Sequence, residues 1–530
     1  MKRSLTSLLR RALTAVLVAT MLGSNVLAGA RVAAAVGSPP QPGGGGASPP
    51  GVSAVSPPTV VGEIVASRTA DSSTYQLSDG SRHAEIFTQP IHYRDSSGKW
   101  EDVDPTLVPS GAPDQTRARA TSFTETFGSD ESSESPVTVA NGAWSLGMGL
   151  VGGDEGRPIT LGNRAVYQSA LPDTQLAYES RRDGVKDTLT LASRRAPDTF
   201  TFFVRLKGLA LYSEPGGGGF ALYDATTHQP AGRIEPLSVF DSADKLGGLA
   251  AACPAASMTV APAPGGVYVT YHILRTWLDD RARAYPVYVD PSVVFAGPDD
   301  TRNDTWVGKT SSSYHYADNH LDASLFASGD LRRALVNFQM TSLPRGSTIN
   351  SAKLQMYLWQ NSSGGAFTTM CQPVMGSWGY NATWANTFGN GSVTVGSGGA
   401  YEQIAAGPDH YAEWDVTSVV QRWLAGTLPN NGFVLYASSE TAVCQHSFWS
   451  AEYASYTSRR PHLTVDYTPP SVTIDPVQPS VRPGDRVAIT VHGRSRCITS
   501  LQARIDGRLP SGATTTTAQF AFSTTSLGAG

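Results

Sequence analysis

Charge is scarce in this sequence. Asp, Glu, Lys and Arg make up 16% of its 530 residues, and 40 basic against 44 acidic residues leave a net charge of −4. No basic stripe appears, so nucleic acid is not an expected partner. Cysteine is scarcer still. Cys253, Cys371, Cys444 and Cys497 form no CxxC pair, which leaves a zinc or thioredoxin-like site without support. Long apolar runs are absent beyond the first residues, so no transmembrane segment is expected once the leader is removed. Catalytic signatures are also missing: there is no HExxH and no GxSxG. The GKT at Gly308–Thr310 is not a phosphate loop. Asn303 stands where its first glycine belongs, and Trp306-Val307 offers no glycine-rich cradle. The sequence therefore reads as a non-catalytic protein. A polysaccharide-active enzyme stays an alternative, because paired carboxylates depend on distances in the fold.

What is present suits short strands and turns. Gly at 53 and Pro at 35 break the chain often, between runs rich in Val, Thr and Tyr. A chain of this length holds roughly two to four domains. Residues 1–35 read as a signal peptide. Lys2, Arg3, Arg10 and Arg11 precede the apolar run Ala12–Leu22, and small-residue cleavage sites follow at Ala28–Ala30 and Ala33–Ala35. The mature protein is then secreted or cell-surface associated, where disulfides are permitted. Residues 36–58 are a Pro/Gly-rich linker.

Residues 59–292 form a β-rich N-terminal region. In TFTFFVRL, Phe200, Phe202 and Val204 share one face, and Phe203 and Arg205 the other. The Ala/Gly-rich stretch 241–266 is expected to be a loop. Residues 293–468 form a β-sandwich module. Leu354, Met356 and Leu358 alternate with Lys353, Gln355, Tyr357 and Trp359, which is period two with one buried face. Ala334, Val336, Phe338 and Met340 repeat the pattern, as do Leu463, Val465 and Tyr467. Val416, Val419, Val420 and Trp423 instead follow helical spacing. Asp415 or Thr417 can cap that short helix, and Gly426 can end it. Cys371 and Cys444 are expected to pair, closing a loop of about 70 residues worth roughly 4 kcal/mol. The pairing of Cys253 and Cys497 is left open. Residues 469–530 carry Pro-bounded Val/Ile strands of an immunoglobulin-like domain. Such a domain needs about seven strands and ~100 residues, so this one is expected to be incomplete here. The fold class that follows is all-β: several antiparallel sandwiches with a jelly-roll-like central module.

Seven of the ten tryptophans lie in residues 301–467, which makes this segment the place to look for a ligand. Trp359, Trp378, Tyr380, Trp384, Trp449 and Tyr453 are candidate sugar contacts, since a flat ring can bury the C–H face of a pyranose. Each could equally fill a core, and Trp414 and Trp423, flanking the helix, are expected to do so. No cofactor is expected. A structural calcium is the one ion considered. His315, Asp318, His320 and Asp322, with Asp299, Asp300, Asn303 and Asp304 upstream, supply oxygen-rich loops, although a solvated polar loop explains them as well.

The segment RRALVNFQMTSLPRGSTINSAKLQMYLW, followed by SWGYNATW, EWDVTSVVQRWLAGTLPNNGFVLY and FWSAEYASYTSRRPHLTVDY, resembles the DNRLRE domain family, grouped with the family 96 carbohydrate-binding modules. The resemblance implies a jelly-roll-like sandwich, secretion and a polysaccharide or cell-wall glycan as partner. The family's opening is present only as Asp304–Val307. Residues 59–292, through IHYRDSSGKWEDVDPTLVPS and RARAYPVYVDPSV, are similar to segments preceding the repeats of bacterial RHS or YD-repeat surface proteins. No repeat array occurs in this chain, so what carries over is position, as the N-terminal structural or delivery part of a larger surface protein.

Overall fold

A computed structural model describes residues 57–129, 135–214, 219–243, 252–290, 292–295, 303–311, 314–316, 318–361, 366–379, 381–453, 457–474, 486–494 and 517–523. The architecture is all-β, built from antiparallel sheets, as expected.

The tryptophan-rich module is a two-sheet sandwich, and its first sheet begins far upstream. Strands β1 (Val60–Glu63), β2 (Ser72–Leu77) and β3 (Arg82–Phe87) form a meander. The module itself supplies β4 (Asp304–Gly308), β5 (His320–Asp322), β6 (Leu331–Val336), β7 (Thr348–Asn361), β8 (Phe367–Met375), β9 (Ala400–Ile404) and β10 (His410–Asp415). Helix α1 (Thr417–Leu424) follows, then β11 (Phe433–Ala437), β12 (His446–Trp449) and β13 (His462–Thr468). The first sheet runs β1-β2-β3-β13-β7-β12-β5, with β10 also on β7. The second runs β4-β6-β11-β8, with β9 on β8.

The join between β3 and β13 is continuous: Arg82 to Phe87 pair with Tyr467 to His462 residue by residue. Ala84 and Ile86, both 0% exposed, enter the same core as Leu354, Met356, Val465 and Tyr467. The expected boundary at 292–293 therefore cuts through this sheet. The cause lies in RHAEIF, whose alternation gives β3 one apolar face that the module buries.

Helix α1 forms as its spacing predicts. Val419, Val420 and Trp423 are buried. The Asp415 carboxylate accepts the Thr417 N–H at 3.0 Å, and the Thr417 hydroxyl oxygen accepts the Ala352 N–H at 2.8 Å, tying the helix start to β7. Gly426 ends it at φ 70°, the left-handed position that glycine tolerates.

Between β3 and β4 the chain builds a separate two-sheet sandwich over residues 104–295, with its own core of Leu146, Tyr178, Leu189, Phe200, Phe202 and Val289, among others. Phe200, Phe202 and Val204 point inward, as their alternation requires. The expected loop at 241–266 holds strand Ser257–Ala263, which pairs with Gly266–His272; its exposed alternate positions hide it from a composition reading. The C-terminal region contributes a three-stranded sheet of Ser471–Ile474, Arg486–Arg494 and Thr517–Ser523.

The expected bridge between Cys371 and Cys444 is not formed. Both are buried free thiols, and Cys253 is free and half-buried. Cys371 is fixed mid-strand on β8, in register with Ala400 and Leu435, whereas Cys444 is held by a bridge to Leu325. Burial pushes both thiols up, which disfavours the thiolate needed for oxidation. Cys497 lies outside the described residues.

Candidate functional site

Strand β7 decides what the outer face of the first sheet carries. Its even positions from Ala352 to Leu358 enter the core, so Ser351, Lys353, Gln355, Tyr357 and Trp359 stand on the opposite face. The β7–β12 register shifts between Leu358 and Gln360, which makes Trp359 the extra residue of a β-bulge. Bulges re-aim side chains and recur beside binding sites.

Here the bulge lays Trp359 on Trp449, with centroids 4.9 Å apart and planes 17° from parallel. Trp449 in turn stacks on Tyr453 at 4.0 Å and 12°. His320, paired with Trp449 across β5 and β12, meets Trp359 edge-on at 6.2 Å. Trp449 thus has a ring on either side and works as the inner slab of the stack, while Trp359 and Tyr453 are its ends. All three are half-buried. The indole N–H groups of Trp359 and Trp449 have no hydrogen-bond partner.

The register then orders the rest of this face into rows across the strands. One row is Tyr75, His83, Asp466 and Ser351; the next is Glu85, Thr464, Lys353 and Asp415; a third is Phe87, His462, Gln355 and Glu413. Tyr357 and Tyr411 follow, in edge contact at 4.9 Å. Tyr357 is 7% exposed because the Arg459 guanidinium lies over its ring at 4.3 Å. The Tyr411 hydroxyl donates to the Ser458 carbonyl at 2.9 Å, so the turn Thr457–Arg459 crosses the face between polar rows and aromatic stack.

Charges in these rows are paired. The His83 ring lies 2.7 Å from Asp466 and 3.8 Å from Glu85. The hydrogen bond to Asp466, then that to Glu85, pushes the imidazole up to about 9, so it is a cation at neutral pH. Lys353 meets Glu413 at 3.0 Å, and Gln355 also donates to that carboxylate.

The other candidates are placed elsewhere. Trp378 and Trp384 pack on the outer face of the second sheet with Val307, Leu335 and Val434. Trp378 donates to the Asn431 carbonyl at 2.8 Å. Arg333 lies over Trp384 and Phe388 and pairs with Glu440 through two bonds of 2.8 and 3.0 Å. That cluster is closed on itself. Tyr380 lies outside the described residues. Trp414 and Trp423 are buried at 0% and 6% exposure, in the core roles expected of them.

In the loop considered for calcium, the described carboxylates already have protein partners. The Asp318 carboxylate accepts Trp306 Nε1 and the His315 ring at 2.9 Å each. Asp322 accepts the Arg332 guanidinium at 2.6 Å and the Ser447 hydroxyl. Burial alone would raise the Asp322 carboxyl, but the neighbouring His320 and Arg332 hold it far below the usual range. Asp304 takes the Ala451 N–H at 2.8 Å. These oxygens already face cationic and N–H donors, which close the sandwich edge. Asp299 and Asp300 lie outside the described residues, and among the described residues no group of three or more His, Cys, Asp or Glu is arranged for a metal.

Sequence reasoning missed His83, Glu85 and Phe87, because they belong to a segment more than two hundred residues from the module. Their alternation with Ala84 and Ile86 was the available signal. It named a strand but not the strand's neighbour.

Comparisons with known proteins bear on this face. Residues 300–467 match the model of carbohydrate-binding module family 96. Two relatives from Bacillus are 23% identical: the tRNA nuclease WapA of Bacillus subtilis over 437 residues, and the tRNA3(Ser)-specific nuclease WapA of Bacillus spizizenii over 438. Each alignment covers 77% of this chain but 18% of the relative, so the chain spans under a fifth of their length. The N-terminal domain of the Streptococcus gordonii adhesin Sgo0707 aligns at a TM-score of 0.09 and 6% identity, over 78% of this chain and 90% of that one, a likeness that carries no argument. No helix among the described residues is long and apolar enough to cross a membrane.

Proposed function

We propose that this protein recognises a polysaccharide non-catalytically through the outer face of its first module sheet, as an exported or cell-surface protein. The observation that carries the reading is the bulged stack of Trp359, Trp449 and Tyr453. It lies within the segment that matches a carbohydrate-binding module. The end rings offer apolar surface to a sugar's C–H face. Affinity electrophoresis of the full chain against a panel of neutral and acidic glycans tests this. Retardation on at least one glycan, lost in Trp449→Ala, is the expected result; no retardation on any glycan refutes it.

A second reading concerns the larger protein. The alignment to the WapA relatives covers most of this chain and under a fifth of theirs, which supports a role as the N-terminal structural or delivery segment of a longer surface protein. Reading the gene beyond Gly530 tests it. Repeat-encoding sequence in frame is expected, and a stop codon with no repeats downstream counts against it.

A further inference from the structure

The chain leaves the module after β3, builds the sandwich of residues 104–295 and returns at β4. The two lobes meet in a buried polar seam. Resting on the reading above, we infer that this seam positions the aromatic stack, with Arg460 as the positioning residue. The inserted sandwich, which lies outside the family-matched segment, thereby takes part in recognition.

The sandwich side of the seam is a hairpin turn. Arg181, Arg182 and Asp183 join strands Thr174–Ser180 and Gly184–Leu191, and the Arg181 N–H closes the turn on the Gly184 carbonyl at 2.8 Å. The Asp183 carbonyl accepts the Phe295 N–H at 2.6 Å, which fixes the turn to its own lobe. From there Arg182 reaches across and donates to the Pro90 carbonyl, just beyond β3, at 2.8 Å. The module side is the segment Ser450–Tyr453, which leaves β12 after Trp449. Every residue of it is held. The Ser450 hydroxyl donates to the Asp318 carbonyl at 2.6 Å, and the Ala451 N–H to Asp304 at 2.8 Å. The Gln89 amide donates to the Glu452 carboxylate, and Arg460 Nε to the Tyr453 carbonyl at 2.7 Å. The same short segment lays the Tyr453 ring on Trp449, so what grips it also sets the end of the stack.

Charge makes the seam one unit. Arg182, Arg460 and Glu452 are 7%, 5% and 8% exposed. Asp183 of the sandwich and Glu452 of the module each lie beside all three guanidiniums, those of Arg181, Arg182 and Arg460. Burial, with Arg181 adding to it, pulls Arg460 down to about 10 against the carboxylates of Glu452, Asp304 and Asp183, so it remains a cation at neutral pH. Buried cations at close quarters stay together only while carboxylates separate them. The packing is tight as well, since the cavity left between the lobes measures about 20 Å³, room for about one water. Losing one carboxylate therefore drives the guanidiniums apart and draws Arg460 Nε away from the Tyr453 carbonyl, although no ring of the stack is altered.

The test uses the full chain and three variants. Arg460→Ala removes the grip on Tyr453, and Asp183→Asn acts from the sandwich side. Trp378→Ala loosens the opposite sheet and reports destabilisation alone. Melting curves establish that each folds, and the nearly isosteric Asp183→Asn decides alone should Arg460→Ala not fold. The stack is read as the part of the near-ultraviolet circular dichroism that Trp449→Ala abolishes. Recognition is read as retardation in gels containing a β-glucan, a mannan or polygalacturonate. Arg460→Ala and Asp183→Asn should each lose roughly half of the stack signal and weaken retardation about tenfold, a usual size for coupling between sites. Trp378→Ala should change neither. A stack signal undiminished in the seam variants overturns the inference. So does an equal loss of retardation in Trp378→Ala, which would make the effect one of stability. If no polymer retards the wild type, the polysaccharide reading fails, while the stack signal still decides the positioning.

Discussion

Asp187 sits at an inward position of strand Gly184–Leu191 in the sandwich of residues 104–295, in step with core residues Val185, Leu189 and Leu191. It is 0% exposed. One oxygen accepts the Tyr271 hydroxyl at 3.3 Å, and the other has no partner. Burial, and then the nearby Asp290, push its carboxyl from 3.8 up to about 8. The sign is that of an acid whose folded value is raised. The penalty is absent below pH 3.8, grows up to about pH 8, and is constant above it. At pH 7 the gap to the ordinary value is about three units, which corresponds to an upper bound of about 4 kcal/mol. Asp187→Asn removes the titration but adds amide protons needing partners, at about 1–3 kcal/mol. The variant should therefore be less stable than wild type at pH 4 and more stable, by about 2 kcal/mol, at pH 8. Hydrogen exchange of peptides covering Gly184–Leu191 and Gly266–His272, read through urea titrations at each pH, isolates this sandwich from the module. A difference between variant and wild type that stays constant from pH 4 to pH 8 refutes the reasoning.

Other outcomes follow from the same structure. Ile86→Ala should destabilise the module, not the sandwich that follows β3 in sequence, by about 2–5 kcal/mol, seen as lost exchange protection in β13 and β7. Trp449→Ala should abolish glycan retention at a stability cost of about 1–3 kcal/mol, because it empties the middle of the stack. Trp378→Ala should cost similar stability yet leave retention intact, because its ring closes the opposite sheet. Cys371 and Cys444 should resist a thiol-alkylating reagent in the folded chain and react on unfolding without a reductant, read by mass spectrometry of the peptides that carry them; failure of both to react until a reductant is added would show a bridge between them.

Local patterns were legible without coordinates. Period-two alternation gave the inward faces of β6, β7 and β13, and helical spacing gave α1, because each pattern is set by backbone geometry within a few residues. The tryptophan surplus also singled out the segment that holds the stacked rings. It did not separate Trp449 from Trp378, since both are large rings near strands. One joins an open stack through a bulge at Trp359, and the other a closed cluster around Arg333. The cysteines show the same limit: spacing permits a bridge between Cys371 and Cys444, while the strand pairings that fix each backbone leave both as thiols.

The sequence by itself determined that this chain is all-β, where its strands face and which segment carries the aromatic chemistry. The tertiary structure decided that β1, β2 and β3 belong to the module sheet, that three rings form one stack, and that His83 and Glu85 stand in rows with Asp466 and Lys353. The physical reason is the range of the interaction. Alternation is written residue by residue, but the choice of a neighbouring strand depends on which distant edge offers complementary backbone groups and a core for Ala84 and Ile86 to enter.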